Sequence, residues 1–374
     1  MTISYEDQKV NLALSLIINS GGIKTYKPEP GIVSENIQKS LESSKATANK
    51  FSIVWGPAVF RVDSVDIDKK KSVIDKKDDH VLFIVQNRHD PNDYRVVIRG
   101  SWSDINWLNE DIIVCKTTDW ALWDSKSPKN AKIAYGTNMA LDYIINQMKS
   151  NNSPGYGESL TDAIDKIALK GGIQNITITG HSLGGVLAST IGLYLKRQYL
   201  DKGNNNIRIH VCAFAGPTAG NDVFASYTES VLNEISTVSY NSDFLRIHNS
   251  IDVVPLAWHI NGLEKIKTIY PILTGTINTL IFFVLGKNYT QIFPDFSIHS
   301  DIPISPIMSF DDLLINIGNQ HVYAYTKEYD MSFITIDDSS NIPTDYDIIV
   351  VNDSLSESIA ELFKFLTKGK IDIA

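Results

Sequence analysis

The chain is poor in cysteine and has no concentration of positive charge. Only two cysteines, Cys115 and Cys212, occur among its 374 residues, which argues against a disulfide framework or a cysteine-based metal cluster. The formal net charge is −9 at pH 7, and no stripe of lysine and arginine is available to neutralise phosphates. Nucleic acid is therefore not expected as a partner.

Long apolar runs are also missing from the sequence. The longest one, Ile272–Leu285, is interrupted by Thr, Gly and Asn, and it is shorter than the roughly 20 residues that a membrane-spanning helix needs. The N-terminus places Glu6 and Asp7 ahead of a short apolar run and lacks the basic start and small-residue cleavage site of a signal peptide. We therefore predict neither a transmembrane segment nor a signal peptide.

The chain does contain enough apolar material for a large core. Hydrophobic residues make up 43% of 374 residues, which suits one large α/β domain. Short apolar runs typical of strands alternate with helical repeats, one of them at about 131–148, and this predicts a mostly parallel central sheet flanked by helices. We assign residues 1–50 to a helical and loop extension packed on the core. Residues 51–374 are assigned to a single domain with an apolar insertion at about 262–300.

The most informative stretch is Asn175–Ser189, NITITGHSLGGVLAS, which places a serine between glycines. The isoleucines before the serine are typical of a buried strand, and the apolar residues after it follow a helical repeat. Ser182 therefore falls on a sharp strand-to-helix turn, where Gly180 and Gly184 let the chain pass close to itself. Such a turn can expose a nucleophilic hydroxyl, although glycine-rich turns that cradle phosphates share part of this pattern.

A nucleophilic serine needs a base and an acid, which commonly follow it in the order acid, then histidine. Asp252 comes where a loop leaves the predicted strand FLRIHN, and His259, His299 and His321 follow it. His259 is on the same loop as Asp252 and would need an unusual fold-back. His321 leaves room for helices and a strand in between, so it is preferred, with His299 as second choice. His181 beside the serine is expected to pack against the sheet, because adjacent side chains diverge.

An oxyanion needs two hydrogen-bond donors. The Leu183 amide lies at the predicted helix N-terminus, where unpaired N–H groups favour negative charge. A second donor is expected from the loop after an early central strand, and Ser101 in RVVIRGSWS can present both an amide and a hydroxyl.

Together these segments resemble the class 3 lipases, the family of the fungal triacylglycerol lipases and their plant and bacterial relatives. The similarity covers roughly residues 80 to 325 and runs, in the family's order, through VVIRGSWSDINWLNED, ITGHSLGGVLAS, FAGPTAGN, RIHNSIDVVP and the later His321. One departure is at 133–140, where only Gly136 of a family segment is kept. Another is the interval between Asp252 and His321, which is longer than in the compact fungal enzymes.

The resemblance implies an α/β-hydrolase fold with an inserted cap or lid. It also implies a nucleophile, acid and base at Ser182, Asp252 and His321, an oxyanion hole at Ser101 and Leu183, and lid or groove residues at Trp102 and Trp107. Such an enzyme hydrolyses lipid esters, triacylglycerol or related, through an acyl-enzyme, and no metal or organic cofactor is implied.

The expected partner is a lipid or ester substrate at a membrane or droplet surface. With no signal peptide recognised, the expected location is the cytoplasm, peripheral at lipid surfaces. A phospholipase, an acyltransferase and a catalytically silent lipid-binding protein on the same fold stay open as alternatives, and so does the oligomeric state.

Overall fold

The computed structural model describes residues 3–21, 29–61, 79–99, 114–233, 243–337 and 339–351. The strands are, in chain order, β1 (Phe51–Arg61), β2 (Asp79–Asn87), β3 (Asp93–Arg99), β4 (Thr117–Asp119), β5 (Lys132–Ala134), β6 (Gln174–His181), β7 (Ile207–Phe214), β8 (Gly220–Asn221), β9 (Phe244–Asn249), β10 (Tyr289–Thr290), β11 (Asp295–Ile298), β12 (Phe333–Ile336) and β13 (Ile348–Val351). The helices are α1 (Tyr5–Ile17), α2 (Pro30–Ser43), α3 (Tyr135–Asp142), α4 (Leu160–Ala168), α5 (Leu183–Asp201), α6 (Asp222–Leu232), α7 (Ile260–Ile269), α8 (Thr274–Val284), α9 (Phe310–Gly318) and α10 (Ala324–Glu328).

A seven-stranded sheet in the order β1-β2-β3-β6-β7-β9-β11 forms the centre of the molecule. The pairs β1–β2 and β2–β3 are antiparallel, and every pair from β3 to β11 is parallel. The prediction of a mostly parallel sheet flanked by helices is confirmed. Because β6, β7 and β9 run in the same direction, the turns that follow their carboxyl ends open at one edge of the sheet.

The strands of the central sheet are apolar because helices cover both faces of the sheet. Val96, Ile98, Ile176 and Ile178 are fully buried in one cluster together with Leu187 and Ile191 of α5. Alternate positions on β2 and β3 face a second cluster that α1 and α2 complete. Strands buried on both faces read as near-continuous hydrophobic runs, which is how they were recognised in the sequence.

Helix α1 is part of the core. Leu12 and Leu16 are fully buried, and the Ser15 hydroxyl lies 3.0 Å from the Thr179 hydroxyl on β6. The same region also joins the late strand β13, since Gly21 N donates to Val351 O at 2.8 Å. The early and late parts of the chain thus meet beside the central sheet.

Two parts of the structure differ in detail from the sequence prediction. The stretch predicted as helix at about 131–148 starts with β5, an inner strand of a small sheet in the order β10-β8-β5-β4, before α3 begins. The apolar segment predicted as an insertion at about 262–300 contributes α7 and α8, and it also supplies β11, the last strand of the central sheet.

Helix α8 presents apolar residues on two sides. Ile277, Leu280 and Val284 face the core, whereas Phe282 and Leu285 are 74% and 64% exposed. Among the residues that the structure describes, no helix is both long and apolar enough to cross a membrane.

Candidate active site

Ser182 lies on the sharp turn between β6 and α5. Its backbone angles are φ 61° and ψ −125°, a conformation that residues with a side chain rarely adopt. Ser182 N donates to Phe214 O on β7 at 2.9 Å, and Ser182 O accepts from Gly185 N at 2.9 Å. The neighbouring strand and the first turn of α5 therefore hold the strained residue from both sides.

The glycines of GHSLGG are required where backbone meets backbone. A Cβ at Gly180 would lie 2.4 Å from Gly184 O and 2.7 Å from Ile98 O. A Cβ at Gly185 would lie 2.4 Å from Phe214 O. The sequence identified the close approach at Gly180, but the contact of α5 with β7 at Gly185 depends on tertiary packing and was missed.

Asp252 and His321 meet in the interior. Asp252 belongs to the loop after β9, and His321 lies in a single wide π-helical turn, Asn319–Tyr323, between α9 and α10. His321 Nδ1 is 2.7 Å from Asp252 Oδ2, and neither side chain is exposed. Because a carboxylate can only accept, Nδ1 carries the proton and Nε2 is left as a base.

Tyr325 and a backbone amide complete the surroundings of Asp252. The Tyr325 hydroxyl donates to Oδ2 at 2.9 Å, and Val254 N donates to Oδ1 at 3.0 Å. Asn249 N in turn donates to the Tyr325 hydroxyl at 2.9 Å. Burial and the charge of Asp252 raise the pKa of Tyr325 well above its ordinary value, so the phenol stays a donor. Its position one helical turn after His321 is the sequence signal that could have identified it.

A buried amide pair ties the end of β9 to the turn that carries His321. Asn249 Nδ2 donates to both the backbone oxygen and the Oε1 of Gln320, each at 2.9 Å. Gln320 Nε2 donates onward to Ile302 O at 2.8 Å. The two segments that carry Asp252 and His321 are therefore joined on either side of the acid–base contact.

The hydroxyl of Ser182 and the Nε2 atom of His321 are both enclosed without a hydrogen bond to any described residue. Ser182 Oγ and His321 Nε2 are buried, and within the described residues neither has a hydrogen-bond partner. The structure thus brings Asp252 and His321 into contact but forms no bond from His321 to Ser182. Hydrogen bonds of this kind are often long before a substrate binds.

The remaining predicted site residues have different outcomes. Leu183 is the first residue of α5, where helix N–H groups have no partner of their own within the helix. His299 is exposed and lies 3.3 Å from Ser250 Oγ, and His259 directly precedes α7. Across the described ranges no cluster of His, Cys, Asp and Glu could hold a metal ion. Three residues lie outside the described residues: Ser101, Trp102 and Trp107.

Comparison with known families concerns the central part of the chain. The family model described as Lipase (class 3) matches residues 95–261, which include Ser182, Leu183 and Asp252. This part of the chain is therefore similar to the class 3 lipases. The predicted resemblance is confirmed, and His321 lies beyond the matched range.

A solved structure of a lipase supports the fold. The crystal structure of M37 lipase is similar with a TM-score of 0.71 and 27% identity, over 87% of this chain and 94% of that one. This confirms the predicted α/β-hydrolase fold. Lip2 lipase from Yarrowia lipolytica matches with a TM-score of 0.46 and 18% identity, covering 68% and 73% of the two chains. Lipase II from Rhizopus niveus matches at 0.40 and 18%, covering 67% and 73%. Sequence comparison with curated proteins finds no match.

Gly185→Ala should lower the free energy of unfolding by about 1–3 kcal/mol, because its Cβ would overlap backbone that cannot easily move. Gly275→Ala is the matched control, since a Cβ there meets nothing within 4 Å and alanine favours helix by up to about 1 kcal/mol. Urea unfolding of both variants measures the difference. Equal stabilities would contradict the steric role of Gly185.

Tyr325→Phe should cost about 1–3 kcal/mol of unfolding free energy, because a buried amide and a carboxylate each lose a partner. It should also slow hydrolysis of a short nitrophenyl ester, since Asp252 is then held by two donors instead of three. Tyr329→Phe is the control: Tyr329 is fully buried too, but its hydroxyl donates to Gln8 at 2.7 Å. If both variants hydrolyse the ester equally fast, Tyr325 has no part in holding Asp252.

Proposed function

We propose that this protein is a serine hydrolase of the class 3 lipase type that cleaves carboxylic esters of lipids, triacylglycerol or related, through an acyl-enzyme. The observation that carries the proposal is the fully buried Asp252–His321 hydrogen bond, at the same edge of the sheet as the strained Ser182. A family match alone would leave the chemistry open. The acid–base pair supplies the proton transfer that a serine nucleophile needs.

In the proposed mechanism, Ser182 Oγ attacks the ester carbonyl while His321 Nε2 takes the hydroxyl proton. Asp252 fixes the imidazole tautomer through Nδ1 and stabilises the imidazolium. The tetrahedral intermediate then breaks the bond to the alcohol oxygen, which receives the proton from His321. Water next attacks the acyl-enzyme with His321 again as base, and the fatty acid leaves as Ser182 regains its proton.

Negative charge on the carbonyl oxygen would be met by the Leu183 amide, at the N-terminus of α5. The family resemblance adds Ser101 as the second donor. Each such donor contributes about 100- to 1,000-fold to the rate.

The outer side of α8 supports a lipid surface as the place of reaction. No charged residue occurs in α8, and residues 260–290 contain Lys265, Lys267 and Lys287 against a single Glu264. This basic surrounding contrasts with the overall charge of −9 and is complementary to an anionic lipid surface. The inner side of α8 belongs to the cluster that contains Val253 and Val322, the neighbours of Asp252 and His321. We infer that Phe282 and Leu285 meet the lipid there.

Ser182→Ala and His321→Ala should each reduce hydrolysis of a short nitrophenyl ester by at least about 10⁴-fold. Thermal unfolding should be unchanged in Ser182→Ala, whereas His321→Ala should be less stable, because it removes a donor from the buried Asp252 carboxylate, and it is assayed well below its unfolding temperature. His299→Ala is the control and should retain activity, because His299 is exposed beside Ser250. A dead His299 variant with a live His321 variant would overturn the choice of base. Failure of a fluorophosphonate to label Ser182 would instead favour a silent lipid-binding protein.

Product analysis identifies the acyl acceptor and the preferred lipid headgroup. The enzyme is given triacylglycerols and phospholipids, each with and without added alcohol or lysolipid. The products show which lipid is cleaved and whether water or the alcohol accepts the acyl group. Release of free fatty acid from triacylglycerol supports the proposal. Preferential transfer to the alcohol would make the protein an acyltransferase, and preference for phospholipid would make it a phospholipase.

Phe282→Ser should weaken binding to vesicles of phosphatidylcholine and phosphatidylglycerol by about tenfold or more, because burying one such side chain contributes about 1.5–3 kcal/mol. The measurement uses a Ser182→Ala background, so that no lipid is consumed. Leu169→Ser, at an 87% exposed position after α4, is the matched control and should bind normally. Equal binding of both variants would remove α8 from the lipid contact.

A further inference from the structure

His181 is the last residue of β6 and directly precedes the proposed nucleophile. Its ring is buried against the turn that carries His321: Nε2 lies 2.7 Å from the His321 backbone oxygen. The two imidazole rings have centroids 4.5 Å apart. On another side, the ring of Tyr325 meets His181 edge to face at 5.5 Å. His181 therefore contacts both residues whose side chains bind Asp252.

The hydrogen bond fixes the protonation of His181. A backbone oxygen can only accept, so Nε2 must carry the proton. Burial, and secondarily the neighbouring His321, lower the pKa of His181 well below its ordinary value, which keeps the ring neutral. Among the described residues Nδ1 has no hydrogen-bond partner. Within the described residues, the ring of His181 is thus held by one hydrogen bond, from its Nε2 to the backbone oxygen of His321.

We propose that His181 is a positioning residue that orients His321 toward Ser182, an inference that rests on the proposed function. The backbone turn Asn319–Tyr323 is wider than an α-helical turn, and such turns are less regular and frequent at functional sites. A donor on its His321 oxygen fixes this turn from the side of the elbow. Because His181 and Ser182 are consecutive, the same contact sets the distance between nucleophile and base.

Two other roles fit the geometry less well. As a base, His181 would have to give up the proton that its Nε2 shares with the backbone, and its low pKa makes it a poor proton acceptor. As mere filling of space, the ring would need no donor, and a phenyl ring of similar size would serve equally.

The test compares His181→Phe, which keeps a ring and removes the donor, with His181→Gln, which keeps an amide donor near the position of Nε2. We expect His181→Phe to lower kcat for a soluble ester by about 100-fold, the effect of a displacement near 1 Å, with little change in KM. His181→Gln should restore much of that loss. His210→Phe is the control, since His210 is also buried in the sheet but lies about 13 Å before the strand ends.

A second readout does not depend on activity. The low-field proton resonance of the Asp252–His321 hydrogen bond, followed by NMR, should shift or broaden in His181→Phe and stay near its wild-type position in His181→Gln and His210→Phe. A His181→Phe protein with wild-type kcat and resonance would overturn the proposal. So would a folded His181→Gln protein that is as slow as the Phe variant. If the wild-type protein hydrolyses no ester, the proposed function fails while the resonance still tests the positioning.

Discussion

The hydrogen bond between His321 and Asp252 joins two parts of the chain that are far apart in sequence, and it does so where water is excluded. Burying a carboxylate and an imidazole is unfavourable unless their hydrogen bonds are made. Here Asp252 accepts from His321, from Tyr325 and from Val254 N. Removing one partner of such a buried pair typically costs about 3–5 kcal/mol. The end of β9, the wide turn and α10 therefore have to assemble together.

The parallel sheet places the proposed nucleophile, Ser182, near this pair. Ser182 follows β6 and Asp252 follows β9, with β7 between them, so the two strand ends are separated by two strand spacings, about 10 Å. The side chain of Asp252 is too short to span that gap. His321 has to enter from another direction, and α9 and α10 bring it there. The strained backbone at Ser182 is held by the same neighbours, since its amide bonds to β7.

The sequence was sufficient to predict those parts of the site that depend on a local sequence pattern. A strand, a glycine-flanked serine and a helix are contiguous in Asn175–Ser189, and the parallel order of the sheet followed from alternation of elements. The assignment of His321 over His299 used spacing and family resemblance, and its catalytic role stays a prediction. The contacts of Tyr325, Gln320 and Asn249 were not predicted, because each bond joins segments that only the tertiary fold brings together. The wide turn has no periodic signature, and the exposed side of α8 could not be separated from its buried side within one apolar run.

The meeting of α1 with β13 has a consequence for how the protein is made. Gly21 bonds to Val351, the Ser20 hydroxyl accepts from Val351 N at 3.2 Å and the Ser44 hydroxyl accepts from Ile349 N at 2.9 Å. Synthesis proceeds from the N-terminus, so Ser44 and Ser20 are made 305 and 331 residues before the strand residues that complete their buried hydrogen bonds. Until then the hydroxyls of Ser20 and Ser44 lack these donors, so this edge of the core is completed only when β13 has been made.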